Sequence, residues 1–134
     1  MKKHLLIYVL LIFVILSGCK TKKLTIVNPQ ESIETAIIDC INLLEKEKYT
    51  ELLSKYIHPD VREDVLKHQT MEELAENFKG KKADRLLKAL KIAQNMDVEY
   101  DKEGTLGVIK LGEDFEGPKE LEFMKKGQLW YIAD

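Results

Sequence analysis

Asn95-Met96-Asp97-Val98-Glu99-Tyr100-Asp101 is where the chain changes period. Upstream, apolar residues recur at intervals of three and four. From Met96 onward they alternate, with Met96, Val98 and Tyr100 set against Asp97, Glu99 and Asp101. A strand pattern that starts only after a series of helical ones predicts an α+β fold. Asp101-Lys102-Glu103-Gly104 then reads as a tight turn. Residues 105–111 read as the partner strand and 112–118 as a loop. Residues 120–125 form a third strand with Leu121 and Phe123 inward. Lys126-Gly127 turns the chain into a last strand over 128–133, which carries Trp130-Tyr131-Ile132. Four sequential strands with short connections predict an antiparallel meander.

Working back from Asn95, the helices come in order. Asn28 is a good N-cap, Pro29 suits the first helical position, and Glu31 stands three beyond the cap. A first helix is therefore expected from Pro29, with Ile33, Ala36, Ile37, Cys40, Ile41 and Leu44 as its buried stripe. A second short helix over 50–57 places Leu52, Leu53, Tyr56 and Ile57 inward and ends at His58-Pro59. Asp60 caps a further turn or two over 61–67, with Val61, Val65 and Leu66 facing in. Thr70-Met71-Glu72-Glu73 is a capping box. It opens a kinked pair of helices, 71–79 and 82–94, interrupted at Gly80. The second of these carries Leu86, Leu87, Leu90 and either Ile92 or Ala93.

The chain has 134 residues, of which 33% are charged and 45% hydrophobic. That balance fits one globular domain with one core. The beginning of the chain has another character. Met1-Lys2-Lys3-His4 is basic, residues 5–16 are twelve apolar positions in a row, and Ser17 and Gly18 are small. A bilayer-spanning helix needs about 20 apolar residues and a signal-peptide core about 7–15. The stretch reads as a secretory signal.

Its last four residues, Leu16-Ser17-Gly18-Cys19, resemble the lipobox of bacterial lipoproteins at all four positions. The resemblance implies cleavage between Gly18 and Cys19 and a diacylglycerol group on the Cys19 thiol, since a thiolate is the competent nucleophile for a thioether. The alternatives are an ordinary signal peptide, or an uncleaved anchor, beside a coincidental cysteine. On the lipoprotein reading the chain divides into a signal peptide (1–18), a lipidated Cys19 with a tether (19–28) and a single α+β domain (29–134). The protein would then be held to a bilayer by two or three acyl chains and would not span it. Lys20 stands where the family's inner-membrane retention signal is usually an Asp, which favours the outer membrane, facing the periplasm. Lys20, Lys22 and Lys23 also fit the surface export seen in some bacterial groups. Loss of Lys2 and Lys3 takes the formal charge from −2 to −4. A mildly acidic domain with no basic stripe is a poor partner for nucleic acid.

The domain itself, over about 30–133, resembles small lipoproteins of the nuclear transport factor 2-like superfamily. The likeness lies in the order of helices then meander, in Phe78 with Leu86-Leu87-Leu90, and in the closing Gly127-Gln128-Leu129-Trp130-Tyr131-Ile132. It implies a bent sheet wrapped round a long helix with a conical pocket. The strand pair that the superfamily places before its third helix is replaced here by a helical pattern over 58–82. A plain helix-on-meander fold is the alternative. The superfamily holds isomerases, dehydratases and many non-enzymes, so fold alone implies no activity.

Few residues suggest chemistry. With Cys19 lipidated, Cys40 is a single thiol on an apolar helix face, where cysteine packs as a small hydrophobe. His58 and His68 sit at helix ends, suited to capping and to the helix dipole. Glu113, Asp114 and Glu116 share a loop with two glycines but lack EF-hand spacing, so a solvated loop is favoured over a Ca²⁺ site. Lys79, Lys81, Lys82 and Arg85 stand at a helix start, where a solvated face is favoured over a small anion site. No metal motif is present and no cofactor is called for. Tyr49, Tyr56, Phe78, Trp130 and Tyr131 are candidates for a pocket or partner face. Tyr131 alternates against Trp130 and is the candidate for a homodimer surface. The expected function is a non-enzymatic envelope lipoprotein that binds a small ligand or an envelope protein. The alternative is a pocket enzyme of the isomerase or dehydratase type, with Asp, His or Tyr in an enclosed polar cavity.

Overall fold

The computed structural model describes residues 27–133. The signal peptide, Gly18, Cys19 and most of the tether lie outside them. Two caps in succession start the domain. Asn28 Oδ1 accepts a hydrogen bond from the Gln30 amide at 3.0 Å and opens a single 3-10 turn, Pro29–Glu31. Ser32 is extended (φ −135°, ψ 153°), and its Oγ caps α1 (Ile33–Glu45) by accepting from the Thr35 amide at 3.2 Å. The expected helix start at Pro29 is thus moved to Ile33. The break at Ser32 lets Gln30 turn inward. Its side-chain amide donates to the carbonyls of Lys55 (2.9 Å) and Trp130 (3.2 Å), tying three segments together. A buried amide left without such partners costs about 1–3 kcal/mol.

The predicted stripe of α1 is buried throughout, with Leu43 added to it. The helices that follow are α2 (Tyr49–Tyr56), α3 (Pro59–Val65), α4 (Met71–Phe78) and α5 (Lys81–Ala93). Helix α1 packs along α5, and α2 packs on α4. The capping box at Thr70 forms as read: Glu73 N–H donates to Thr70 Oγ1 at 3.1 Å, and Thr70 N–H donates to Glu73 Oε2 at 2.8 Å. Helix α5 buries Ala83, Ala89, Leu90 and Ala93, while Ile92 faces out.

Helix α3 departs from expectation. Val61 (54% exposed) and Leu66 (44%) do not face the core. This helix is held from its N-terminal end. Arg62 donates to the Ser54 carbonyl, Lys126 pairs with Asp60, and Ile57 bridges Ile132 in parallel. Those polar and edge contacts fix its orientation, so Val61 and Leu66 are left outside while Val65 is half-buried.

The sheet is an open antiparallel meander, β1 (Glu99–Tyr100), β2 (Leu106–Lys110), β3 (Glu120–Lys126) and β4 (Leu129–Ala133), in sequential order. The first strand is shorter than its alternation predicts. The amides of Asn95 and Met96 donate to the carbonyls of Ile92 (3.2 Å) and Ala93 (3.0 Å), so Met96 closes the turn that follows α5. The Asp101 carboxylate ties the first hairpin. It accepts from the amides of Thr105 (2.8 Å) and Leu106 (3.0 Å). These bonds, that from Leu106 foremost, hold its carboxyl below the usual range.

Ile109, Leu121, Phe123 and Trp130 turn inward and join Ile33, Ile37, Leu44, Leu52 and Leu90 in one core. The other face of the sheet carries a cross-strand row, Leu106, Met124 and Tyr131. The fold is α+β.

Candidate functional site

The cleft with the most functional character forms between α5 and the loop 112–118. Spacing on α5 puts Lys81, Arg85 and Lys88 on one face, at positions i, i+4 and i+7. The opposite wall is a loop tied to itself. Its neck closes with Leu111 N–H donating to the Lys119 carbonyl at 2.8 Å. Lys119 Nζ then reaches back to the carbonyls of Phe115 (2.8 Å) and Glu113 (2.5 Å). Gly117 sits against Arg85: a Cβ there would stand 3.0 Å from Arg85 Cδ and 3.3 Å from the Phe115 ring.

Between these walls lies a cleft of about 830 Å³. Lys81, Asp84, Arg85 and Lys88 line one side, Asp114 and Glu116 the other, and Ile92, Leu111 and Phe115 supply apolar surface. Lys91, further along, pairs with Glu45 at 2.7 Å. Among the described residues no carboxylate lies within ion-pair distance of Lys81, Arg85 or Lys88. The acidic loop and the basic helix face, read separately in the sequence, are therefore two walls of one cleft. Lys81 and Arg85 belong to it. Lys79 borders a different shallow depression beside Glu47 and Tyr49. Lys88 and Phe115 were not singled out from the sequence. The seven-residue step from Lys81 to Lys88 was the available signal; nothing local marks Phe115.

The five aromatic candidates do not gather. Tyr49 and Phe78 meet edge-on at 5.9 Å where α2 packs on α4. Trp130 is buried on the inner face, with Tyr100 at 5.7 Å and Lys125 Nζ at 5.6 Å from its ring. Tyr131 points to the outer face, half-buried, with the His58 ring at 5.8 Å. Tyr56 is buried at the α1–α2 contact. Its hydroxyl donates to Asp39 Oδ2 at 2.6 Å, and Lys55 Nζ lies 2.6 Å from the same oxygen.

Cys40 is fully buried beside that group. Burial, and then the Asp39 charge, push its thiol far above its ordinary range. A thiol held protonated is a poor nucleophile, so Cys40 acts as a packing residue. Burial pushes the Tyr56 phenol up as well, followed by its hydrogen bond to Asp39. His58 caps α3, its Nδ1 accepting from the Asp60 amide at 3.3 Å, and His68 is exposed just past that helix. Among the described residues no three His, Cys, Asp or Glu side chains gather at metal-ligand distance. Among the same residues no helix is long and apolar enough to cross a membrane. Comparison with protein-family models, with curated protein sequences and with solved structures finds no match to this chain.

Proposed function

We propose that the protein is a bacterial envelope lipoprotein, anchored through acylated Cys19, whose α+β domain binds a partner without catalysing a reaction. The observation that carries this reading is Leu16-Ser17-Gly18-Cys19 after twelve apolar residues and a basic start. A polar start with an apolar core too short to span a bilayer fits a processed signal, and a following cysteine fits acylation. Lys20 supports placement at the outer membrane, and the lipid bilayer is then the first partner.

The domain's chemistry supports binding over catalysis. Both histidines of the domain lie at helix ends, and the thiol of Cys40 is locked in its protonated form. The one buried polar side chain among the described residues, Gln30, has both its amide donors engaged in structural bonds. The pocket-enzyme alternative needs an acid, base or tyrosine facing an enclosed polar cavity. The finer reading of the fold, a nuclear transport factor 2-like cone, draws support from the helices-then-meander order and the Trp130-Tyr131-Ile132 strand. The helical stretch that replaces the superfamily's strand pair bears against it.

Radioactive palmitate labelling of wild type and Cys19→Ala in bacterial cells tests the anchor. Label on the wild type alone, with the variant lost from the membrane fraction, is the expected result. Equal labelling of the two would remove the reading.

A further inference from the structure

We infer that the open edge of β1 takes up, by antiparallel strand addition, an extended segment of a partner protein in which basic residues alternate with apolar ones. The inference rests on the reading of the domain as a tethered binding module. It names the surface that binds and the chemistry of what is bound.

Three observations carry it. The first is free backbone. Among the described residues β1 has β2 on one side and no strand on the other. The far edge of the sheet differs, since Ile57 bridges Ile132 on β4. Glu99 faces Val108, and the Asp101 amide donates to the Leu106 carbonyl at 3.0 Å. Bonds to β2 therefore fall at Glu99 and Asp101. By the alternation of an antiparallel ladder, the amides and carbonyls of Val98 and Tyr100 point the other way, to the open edge. Groups of this kind are a template for a further strand. The second observation is the pair of side-chain rows beside them. A Cβ on Gly107 would lie 3.1 Å from Val98 Cγ1 and 3.5 Å from the Tyr100 ring, so Val98 and Tyr100 share the inner side. Tyr100 is nevertheless 50% exposed. Asp97 and Glu99 alternate with them on the outer side and are exposed.

The third observation is the sign of the charge. Lys110 pairs with Glu99 at 3.2 Å, Lys102 stands in the adjoining turn, and Lys125 lies against the Trp130 ring that Tyr100 touches. Asp97, Glu99, Asp101 and Glu103, with Glu34 close enough to act on the Tyr100 phenol, outnumber those cations. A second copy of the chain is a poor source of the added strand. Joining the free groups of Tyr100 to those of Val98 in the second copy sets Glu99 opposite Glu99. Joining Tyr100 to Tyr100 sets Glu99 opposite Asp101, and joining Val98 to Val98 sets Asp97 opposite Glu99. Like charges directly opposed are destabilising. A segment that alternates basic and apolar residues sets its cations against Asp97 and Glu99 and its apolar side chains against Val98 and Tyr100. Directly opposite residues of an antiparallel pair share a face. The partner's apolar residues are therefore the ones that exchange backbone hydrogen bonds with Tyr100 and Val98.

The test uses the full chain in a zwitterionic detergent and a short fluorescein-labelled peptide in which lysine alternates with leucine. Fluorescence anisotropy is expected to report saturable binding that weakens as salt is added. N-methylation of the leucine amides removes the donors that face β1 and is expected to abolish binding. N-methylation of the lysine amides, which point away, is expected to leave it. The double variant Asp97→Lys/Glu99→Lys is expected to weaken binding about tenfold or more. Glu72→Lys/Glu76→Lys, the same change of charge on α4, leaves it unchanged. Helix α4 leads into the N-terminal end of α5 and β1 follows its C-terminal end, roughly 20 Å along the axis. All four substituted carboxylates are exposed, and circular dichroism verifies that both variants fold. Any of four results would overturn the inference: no saturable binding at low salt, binding kept after leucine methylation or lost equally on lysine methylation, equal binding by Asp97→Lys/Glu99→Lys, or equal binding of a glutamate–leucine peptide. The assay reads the edge whether or not Cys19 carries lipid. A negative result here leaves the anchor standing, and unlabelled Cys19 leaves the edge standing.

Discussion

Gly107 on β2 and Ile33 at the start of α1 meet so closely that a Cβ on Gly107 would overlap Ile33 Cδ1 and stand 3.1 Å from Val98 Cγ1. Both residues are buried, and Ile33 is fully so. The missing side chain of Gly107 is what lets the helix approach the sheet at this point.

Gly107→Ala is expected to destabilise the domain by about 1–3 kcal/mol, the usual cost of overpacking a filled core. Shortening the partner tests the cause. Ile33→Val removes Cδ1 and alone costs about 0.5–1.5 kcal/mol. The double variant should be clearly more stable than the sum of the two losses implies, because each change relieves the other. Urea unfolding of all four proteins gives the coupling energy. Strict additivity would sink the explanation.

The pair Cys40 and Tyr56 makes a prediction about alkaline pH. Both groups have folded-state values raised above their ordinary ones, 9.0 for the thiol and 10.0 for the phenol. A group raised on folding keeps its proton in the folded state after the unfolded chain has lost it. Its stabilisation is fully present below the unfolded value and is lost as pH rises beyond it. Stability should therefore fall above pH 9.0 for the thiol and above pH 10.0 for the phenol, each by about 1.4 kcal/mol per pH unit. Cys40→Ala removes the first of these. Under reducing conditions, the gap in unfolding free energy between wild type and Cys40→Ala should narrow steadily from pH 9.0 upward. A gap that stays constant would show that the thiol ionises as easily folded as unfolded.

The fold class was legible because period is a backbone property. The stripe of α1, the capping box at Thr70 and the alternation of Leu121 and Phe123 all stand in the structure where spacing puts them. What spacing missed was decided at a distance. Asn28 and Ser32 are both good caps four residues apart, and local rules do not choose between them. The choice is made by Gln30, whose amide finds the carbonyls of Lys55 and Trp130. Val61 and Leu66 read as inward because they are apolar. Helix α3 is instead oriented by Arg62 and Asp60, whose partners Ser54 and Lys126 flank it from two other elements.

The candidate site was legible only in pieces. The basic stripe of α5 and the acidic loop were each visible, since both are charge patterns within a few residues. That they face one another depends on the meander's course after α5, which brings the loop 112–118 back over the helix. The aromatic candidates show the reverse case. Tyr49, Tyr56, Phe78, Trp130 and Tyr131 share a composition that suggests a pocket, yet strand alternation alone sends Trp130 and Tyr131 to opposite faces.

The wall of the cleft opposite α5 should be separable from the stability of the domain. Lys119 Nζ holds the carbonyls of Phe115 and Glu113, while Lys119 itself is exposed. Lys119→Met keeps the aliphatic stem and removes the donor. The global cost is expected to be within about 0.5 kcal/mol, as for most surface substitutions. Locally the effect is larger. The Phe115 amide, bonded to the Gly112 carbonyl at 3.3 Å, should exchange its hydrogen about tenfold faster once the loop is freed. Amides of the β3–β4 ladder around Phe123 should keep their protection. Gly117→Ala should reproduce this by another route. Its φ of 139° is strained for any side chain, and the new Cβ presses on Arg85 Cδ at 3.0 Å. Unchanged exchange at Phe115 in both variants would show that the wall is held by something other than Lys119 and the Gly117–Arg85 contact. Faster exchange throughout the sheet would show that the loop is part of the core's cooperative unit and not a separate wall.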